Sequence, residues 1–309
     1  MHLFTTRRGR PRLLALLLSL LPLLWWAAHP RPDPDGGKLR VTVLDVGQGD
    51  CILVETPTRR AMLIDGGGSN DESQVDSTDV GQKIVVPFLH YRGLNHLDVV
   101  VLTHPHGDHC GGLTAVLREE AVGAVLDGTV LPYPSADYMA FRKEIKDRHI
   151  LCQHAARGMR LDLGNGVTAD VLNPPAAGTP YGTQPDDATV NNYSAVLRLN
   201  YGRTHFLLTG DAEFDAERSM LAACPDVSCD VLKVGHHGAA NATGDEWLAR
   251  VRPRYAAISC GQHNTFGHPN PATLARLDAH GVQTFRTDKN GAILFLSDGQ
   301  VVTARPFLR

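Results

Sequence analysis

Four metal-ligating side chains fall within six residues of this chain: His104, His106, Asp108 and His109, in the pattern H-x-H-x-D-H. They follow the apolar run 97–102 (L-D-V-V-V-L), so a strand ending there presents several nitrogen and oxygen donors at one point. Imidazole and carboxylate are the ligand types of hydrolytic zinc and manganese sites. A solvated loop has no use for four such groups at this spacing unless a cation sits between them. Other strand ends carry the same chemistry. Residues 207–211 (L-L-T-G-D) deliver Asp211, residues 232–238 (L-K-V-G-H-H-G) deliver His236 and His237, and residues 63–67 (L-I-D-G-G) deliver Asp65. Singly, each has an ordinary reading: a turn, one ligand beside a hydrogen-bonding neighbour, a cap on a glycine-rich bend. Together they predict one metal cleft shared by four strand ends.

A two-metal site fits this inventory. Two cations roughly 3.5–4 Å apart can share a bridging carboxylate and a bridging hydroxide. One position would take His104 and His106. The other would take Asp108, His109 and one histidine of the 236–237 pair, with Asp211 bridging. One or two zinc or manganese ions would lower the pKa of bound water and supply a hydroxide at neutral pH. They would also polarise the carbonyl or phosphoryl oxygen under attack. No serine or cysteine nucleophile is required. Asp65 would hold the histidine loop by hydrogen bonds.

The elements that must position these groups alternate between strand and helix. Strands are expected at 39–46, 51–55, 61–65, 97–102 and 122–126, with turns at 47–50 and 66–68. Helical spacing marks 80–91, apart from Pro87, and then 112–120 and 136–148. Residues 156–190 read as a weak strand pair followed by a long loop, 174–189, of a length that is often functional. Strands follow at 195–199, 205–209, 231–234, 256–259, 283–286 and 292–296, and helices at 213–222, 245–250 and 271–279. With no internal repeat and no second linker, this is one α/β domain over about 39–309.

Composition bounds the function. The 309 residues suffice for a sizeable core, and 43% hydrophobic with 20% charged residues excludes both disorder and a polytopic membrane protein. Arg7, Arg8, Arg10 and Arg12 precede an apolar run at 13–26, then small residues. Residues 1–29 therefore read as a signal peptide or N-terminal membrane anchor, and 30–38 as a proline-rich linker. The working part is expected in the periplasm, outside the cell, or anchored to the membrane by that segment. Without residues 1–28 the chain has 26 basic against 33 acidic side chains, a net of about −7, which is no footprint for nonspecific nucleic-acid binding. Of the six cysteines, Cys224 and Cys229 bracket a short loop and form the one candidate disulfide. The others read as buried thiols, and none makes a C-x-x-C zinc site.

The chain resembles the metallo-β-lactamase superfamily in its H-x-H-x-D-H loop, downstream strand-end aspartate and final histidine. More narrowly, it resembles the hydrolase domain of the ComEC competence family of DNA-uptake proteins. The motifs carrying that likeness are 44–50 (L-D-V-G-Q-G-D), 63–67, 103–112 (T-H-P-H-G-D-H-C-G-G), 191–194 (N-N-Y-S) and 207–211, then 232–238, 264–269 (N-T-F-G-H-P) and 286–291 (R-T-D-K-N-G). They span about 39–302. The resemblance implies a four-layer αββα sandwich of two mixed sheets with helices outside and the metals at one sheet edge.

Three departures bear on function. Many superfamily enzymes place a further histidine ligand between the H-x-H-x-D-H loop and the bridging aspartate. Here only His149, His154 and His205 lie in that interval, none at a strand-end motif. The corresponding region carries Asn191, Asn192 and Ser194, as the ComEC group does, so these are expected to support the site or meet substrate. The His104/His106 position is thus one ligand short, to be completed by asparagine, water or substrate. His106 stands where the ComEC group often has aspartate, which moves the site towards zinc. The membrane channel of full-length competence proteins is absent, so DNA uptake would require a separate membrane channel protein.

Asp108, His236 and His268 are the expected catalytic groups. His237 is preferred as the ligand and His236 as the group facing substrate, with the exchanged assignment left open. For His268 the resemblance implies a phosphate contact or proton donor; alone it would read as a surface-turn histidine. A phosphodiesterase or nuclease acting on DNA is the first reading. An exported hydrolase of a small phosphoester, such as a phosphorylcholine ester, or of a lactone is the second. A non-catalytic module with a structural metal ranks last.

Overall fold

The computed structural model describes residues 35–69, 80–177 and 181–308. The signal or anchor expected over 1–29, and most of the expected linker, lie outside the described residues. Lys38–Arg309 forms one compact unit. Among the described residues no helix is long and apolar enough to cross a membrane.

The strands, in chain order, are β1 (Leu39–Val43), β2 (Ile52–Glu55), β3 (Ala61–Ile64), β4 (His96–Leu102), β5 (Ala121–Asp127), β6 (Leu151–His154), β7 (Arg160–Asp162), β8 (Val167–Asn173), β9 (Val196–Tyr201), β10 (Thr204–Leu208), β11 (Val231–Lys233), β12 (Tyr255–Ile258), β13 (Gln283–Arg286), β14 (Ile293–Ser297) and β15 (Val302–Pro306). They form an eight-stranded sheet, β15-β14-β1-β2-β3-β4-β5-β6, and a seven-stranded sheet, β13-β12-β11-β10-β9-β8-β7. Each sheet is antiparallel on one side and parallel on the other. The change falls at β3 in the first sheet and at β10 in the second. Crevices for ligands open beyond the carboxyl ends of such parallel strands. Here those ends are the ends of β3, β4, β10 and β11, where the expected ligands stand.

Period-two alternation builds the layers. Met62, Ile64, Phe206 and Leu208 point between the sheets, where they join Val41, Val54, Leu197 and Phe295. Leu63 points the other way, into a cluster with Leu113, Val116 and Phe141 from the helices Leu113–Glu119 and Ala136–Asp147. Leu207 and Leu232 pack likewise with Trp247, Leu248 and Leu277 outside the second sheet. The parallel strands are covered on both faces and therefore read as near-continuous apolar runs. The result is the expected αββα sandwich.

Some local expectations give way. A π-turn at Gly81–Val85 runs without a break into the helix Val86–Tyr91, and the change of hydrogen-bond spacing there, with the Val86 N–H on the Gly81 carbonyl, accommodates the missing N–H of Pro87. The expected loop 174–189 ends early. Asp186 caps the helix Asp187–Asn192, its carboxylate accepting the Thr189 N–H at 2.8 Å. The expected Cys224–Cys229 bridge is not formed, and all six cysteines are free thiols. Cys224 directs Sγ at the Leu172 carbonyl, while the Cys229 backbone is tied to the Val251 carbonyl. Both side chains pack into the apolar cluster outside the second sheet.

Candidate metal centre

The histidine loop is held from β3. One carboxylate oxygen of Asp65 accepts the Thr103 N–H at 2.8 Å. The other accepts the Thr103 hydroxyl at 2.7 Å and lies 2.8 Å from His109 Nδ1. Both ends of the loop are thus pinned by one buried side chain. The proton this requires on His109 Nδ1 turns Nε2 inward, where it would donate its lone pair to a cation that displaced its own proton. The first hairpin also abuts the loop. Gly49 has φ +138°, and a Cβ there would sit 2.3 Å from the Asp108 carbonyl oxygen, so only glycine fits.

One oxygen is the hub of the site. Asp211 Oδ2 lies 3.3 Å from His109 Nε2, 3.4 Å from His237 Nε2, 3.9 Å from His236 Nε2 and 4.0 Å from His104 Nε2. His237 Nε2 is also 3.3 Å from Asp108 Oδ2. Donor atoms of Asp108, His109, Asp211 and His237 all fall within 4.8 Å of one another, and all four residues are buried. Beside them, His104 Nε2 and His106 Nδ1 face each other at 3.0 Å. Two nitrogens about 2.0–2.1 Å from one tetrahedral zinc would be about 3.3 Å apart, so this pair has nearly the right spacing.

The donor set fits a cation on its own chemistry. Asp211 Oδ1 is buried and makes no hydrogen bond, while His109 Nε2 and His237 Nε2 face only the carboxylates of Asp211 and Asp108. Leaving such an oxygen unpartnered costs about 1–3 kcal/mol, which an ion bound among these groups would offset. Burial works against charge on His237, yet Asp211 and Asp108 push its imidazole up to about 10. Burial likewise opposes charge on His109, but Asp211, Asp108 and Asp65 hold it well above the usual range. Asp211 is held well below the usual carboxylate range, against burial, by His237, His109 and His236. Protons on two imidazoles thus balance the acids, and a divalent cation would displace them. Burial, with His109 and His106 nearby, keeps His104 neutral and ready to donate.

The two histidines of the 236–237 pair part ways. Both sit in left-handed backbone, φ 47° and 52°, a costly conformation that turns their rings apart. His237 is buried, with Nδ1 3.0 Å from the Ser259 carbonyl and Nε2 inward. The His236 side chain is 24% exposed, and its Nδ1 lies 3.0 Å from Glu213 Oε1. His268 stands next to it, ring centroids 5.2 Å apart. Asn191 Nδ2 donates to the same Glu213 oxygen at 3.1 Å. Ser194 Oγ accepts the Asp211 N–H at 3.2 Å and lies 3.3 Å from His104 Nδ1. Asn192 does not face the centre. Its amide is spent on the Ala188 carbonyl and the Ala216 N–H, tying the helix Asp187–Asn192 to the helix Phe214–Ala223.

Three supporting groups were not foreseen. Asp50 pairs with the buried Lys233 at 2.8 Å and lies 3.4 Å from His237 Nδ1. Both stood inside recognised motifs, G-Q-G-D and L-K-V-G-H-H-G, without a role. Glu213 stood two residues beyond Asp211 and carried no signal of its own.

Residues 44–263 match the profile of the metallo-beta-lactamase superfamily. The chain belongs to that superfamily. This metallo-β-lactamase chain is 33% identical over 279 residues to ComE operon protein 3 of Bacillus subtilis (strain 168), covering 85% of this chain and 34% of that protein. It is 30% identical over 295 residues to competence protein ComA of Neisseria gonorrhoeae, covering 91% and 37% respectively. The resemblance to competence proteins therefore holds, and the chain spans about a third of the length of each of these two relatives. Among solved structures, a CmlA beta-hydroxylase mutant shares the fold at a TM-score of 0.51 and 12% identity, over 94% of this chain and 60% of that one.

Proposed function

We propose that this metallo-β-lactamase chain is a divalent-metal-dependent phosphodiesterase that cleaves DNA outside the cytoplasm. The convergence of four imidazoles on Asp211 Oδ2 carries the hydrolytic part of this reading. The competence proteins among its relatives support the choice of DNA.

Asp108, His109 and His237 would hold one ion, His104 and His106 a second, and Asp211 would touch both. Zinc or manganese bound there supplies an acidified water and positive charge against the phosphoryl oxygens. The chain's own residues do the rest. Glu213 accepts the His236 Nδ1 proton and so aims Nε2 towards the centre, where it can protonate the departing oxygen. His268, pushed down to about 4 by burial and by His236 and His237, is neutral and can hydrogen-bond a phosphate. Asn191 steadies Glu213, and Ser194 fixes both the Asp211 backbone and His104.

The test is an assay of the purified protein with Mn²⁺ or Zn²⁺ on single- and double-stranded DNA beside a generic phosphodiester. Asp211→Ala is the control. DNA cleavage that disappears in the variant is expected. Cleavage of the small diester alone would favour a phosphoester of the envelope, a reading supported by the net charge of about −7 without residues 1–28.

A further inference from the structure

The loop after β12 puts an aromatic ring where the fold has no need of one. Phe266 is 58% exposed. Its ring lies 5.9 Å from that of His268 with planes 25° apart, and His268 in turn contacts His236. The loop is built to hold this arrangement. The Asn264 side chain accepts the His268 N–H at 3.0 Å and donates to the Gly261 and His268 carbonyls at 2.9 and 2.6 Å. Gln48 accepts the Gly261 N–H at 3.0 Å and fastens the start of the loop to the first hairpin. A ring held out in water by four hydrogen bonds, one imidazole away from the metal-facing histidines, gains nothing for the core.

We propose that Phe266 and His268 form a stacking platform for one unpaired nucleobase at the mouth of the site. This rests on the phosphodiesterase reading above and names how that site would grip its substrate. With a net charge of about −7 outside residues 1–28, the chain gains little from nonspecific attraction to a phosphate backbone. Base–aromatic stacking does not depend on charge and would add to what the centre itself contributes. In a duplex the faces of the bases are covered by their neighbours. Only an unpaired base offers a face to Phe266, so the platform selects single strands or frayed ends.

The test compares a fluorescent single-stranded oligonucleotide with an abasic strand of equal length. Binding is measured by anisotropy in the presence of chelator, which stops hydrolysis. The base-bearing strand should bind roughly 5- to 100-fold more tightly. Phe266→Ala should remove that ratio and Phe266→Trp should keep it, with circular dichroism confirming that both are folded. Equal binding of the two strands by the unaltered protein, or a ratio that survives Phe266→Ala, overturns the platform. The metal-loaded cleavage assay reads the other question separately. DNA cleavage without the ratio sinks the platform alone, and the ratio without any phosphodiester cleavage sinks the phosphodiesterase reading.

Discussion

At the residue scale, neighbouring histidines of one type are given different work by what touches their far nitrogens. The Ser259 carbonyl and Asp50 lie beside His237 Nδ1, so Nε2 is committed to the buried carboxylates. Glu213 lies beside His236 Nδ1 at a partly exposed position, 3.9 Å from the hub oxygen. The two substitutions should therefore separate. His237→Ala should lose about one bound ion per chain, read by elemental analysis of the dialysed protein. His236→Ala should keep its metal and lower kcat about 10²- to 10⁴-fold, the usual worth of a general acid. Metal loss in both variants alike would remove His236 from the proton-donor role. Sequence showed that the pair mattered. The choice within it depends on a left-handed turn and on Glu213, which a different helix brings in.

At the element scale, the contact between the first hairpin and the histidine loop is set by backbone, so it should be intolerant of a single methyl group. In Gly49→Ala the new Cβ must push away the Asp108 carbonyl, and with it the side chain proposed as a ligand. Metal affinity should fall about 10-fold or more in a competition titration, with a far smaller loss of thermal stability. An unchanged affinity would show that the hairpin does not position Asp108.

A second element contact is pH-sensitive. Glu217, on the helix Phe214–Ala223, accepts the backbone N–H groups of Thr243 and Gly244. Burial nevertheless pushes its carboxyl from 4.5 up to about 7 against those bonds and Arg276. The folded state then holds this proton more tightly than the unfolded chain. The associated stability is complete below pH 4.5 and is lost as pH rises to about 7, a change on the order of 3 kcal/mol. Denaturation midpoints at pH 5 and pH 7.5 should differ less in Glu217→Gln than in the unaltered protein; equal differences would sink this assignment. Contacts of this kind were not legible beforehand, because they join residues that only the fold brings together. The strand ends were legible, because rare donor types stood in short motifs after apolar runs. The edge strands β6 and β15 were not. Each pairs on one side only, and their burial is incomplete, so little apolar periodicity marks them.

At the scale of the whole molecule, the candidate metal centre sits beyond the strand ends, while the core lies in three apolar clusters between and outside the sheets. The protons on His109 and His237 also leave the metal-free acids balanced rather than exposed to one another. Chelation should therefore abolish hydrolysis and leave the sandwich folded. Metal at about 100 times its dissociation constant adds only about 3 kcal/mol by linkage for each ion held. For a chain of this size that corresponds to a melting temperature lower by roughly 5–10 °C after chelation. Far-ultraviolet circular dichroism and a melt, with and without chelator, measure both quantities. Collapse of the dichroism on chelation would mean that the ion holds the fold together. The open, partly exposed face at His236 would then lose its catalytic rationale, because a structural ion needs closed coordination and no proton donor beside it.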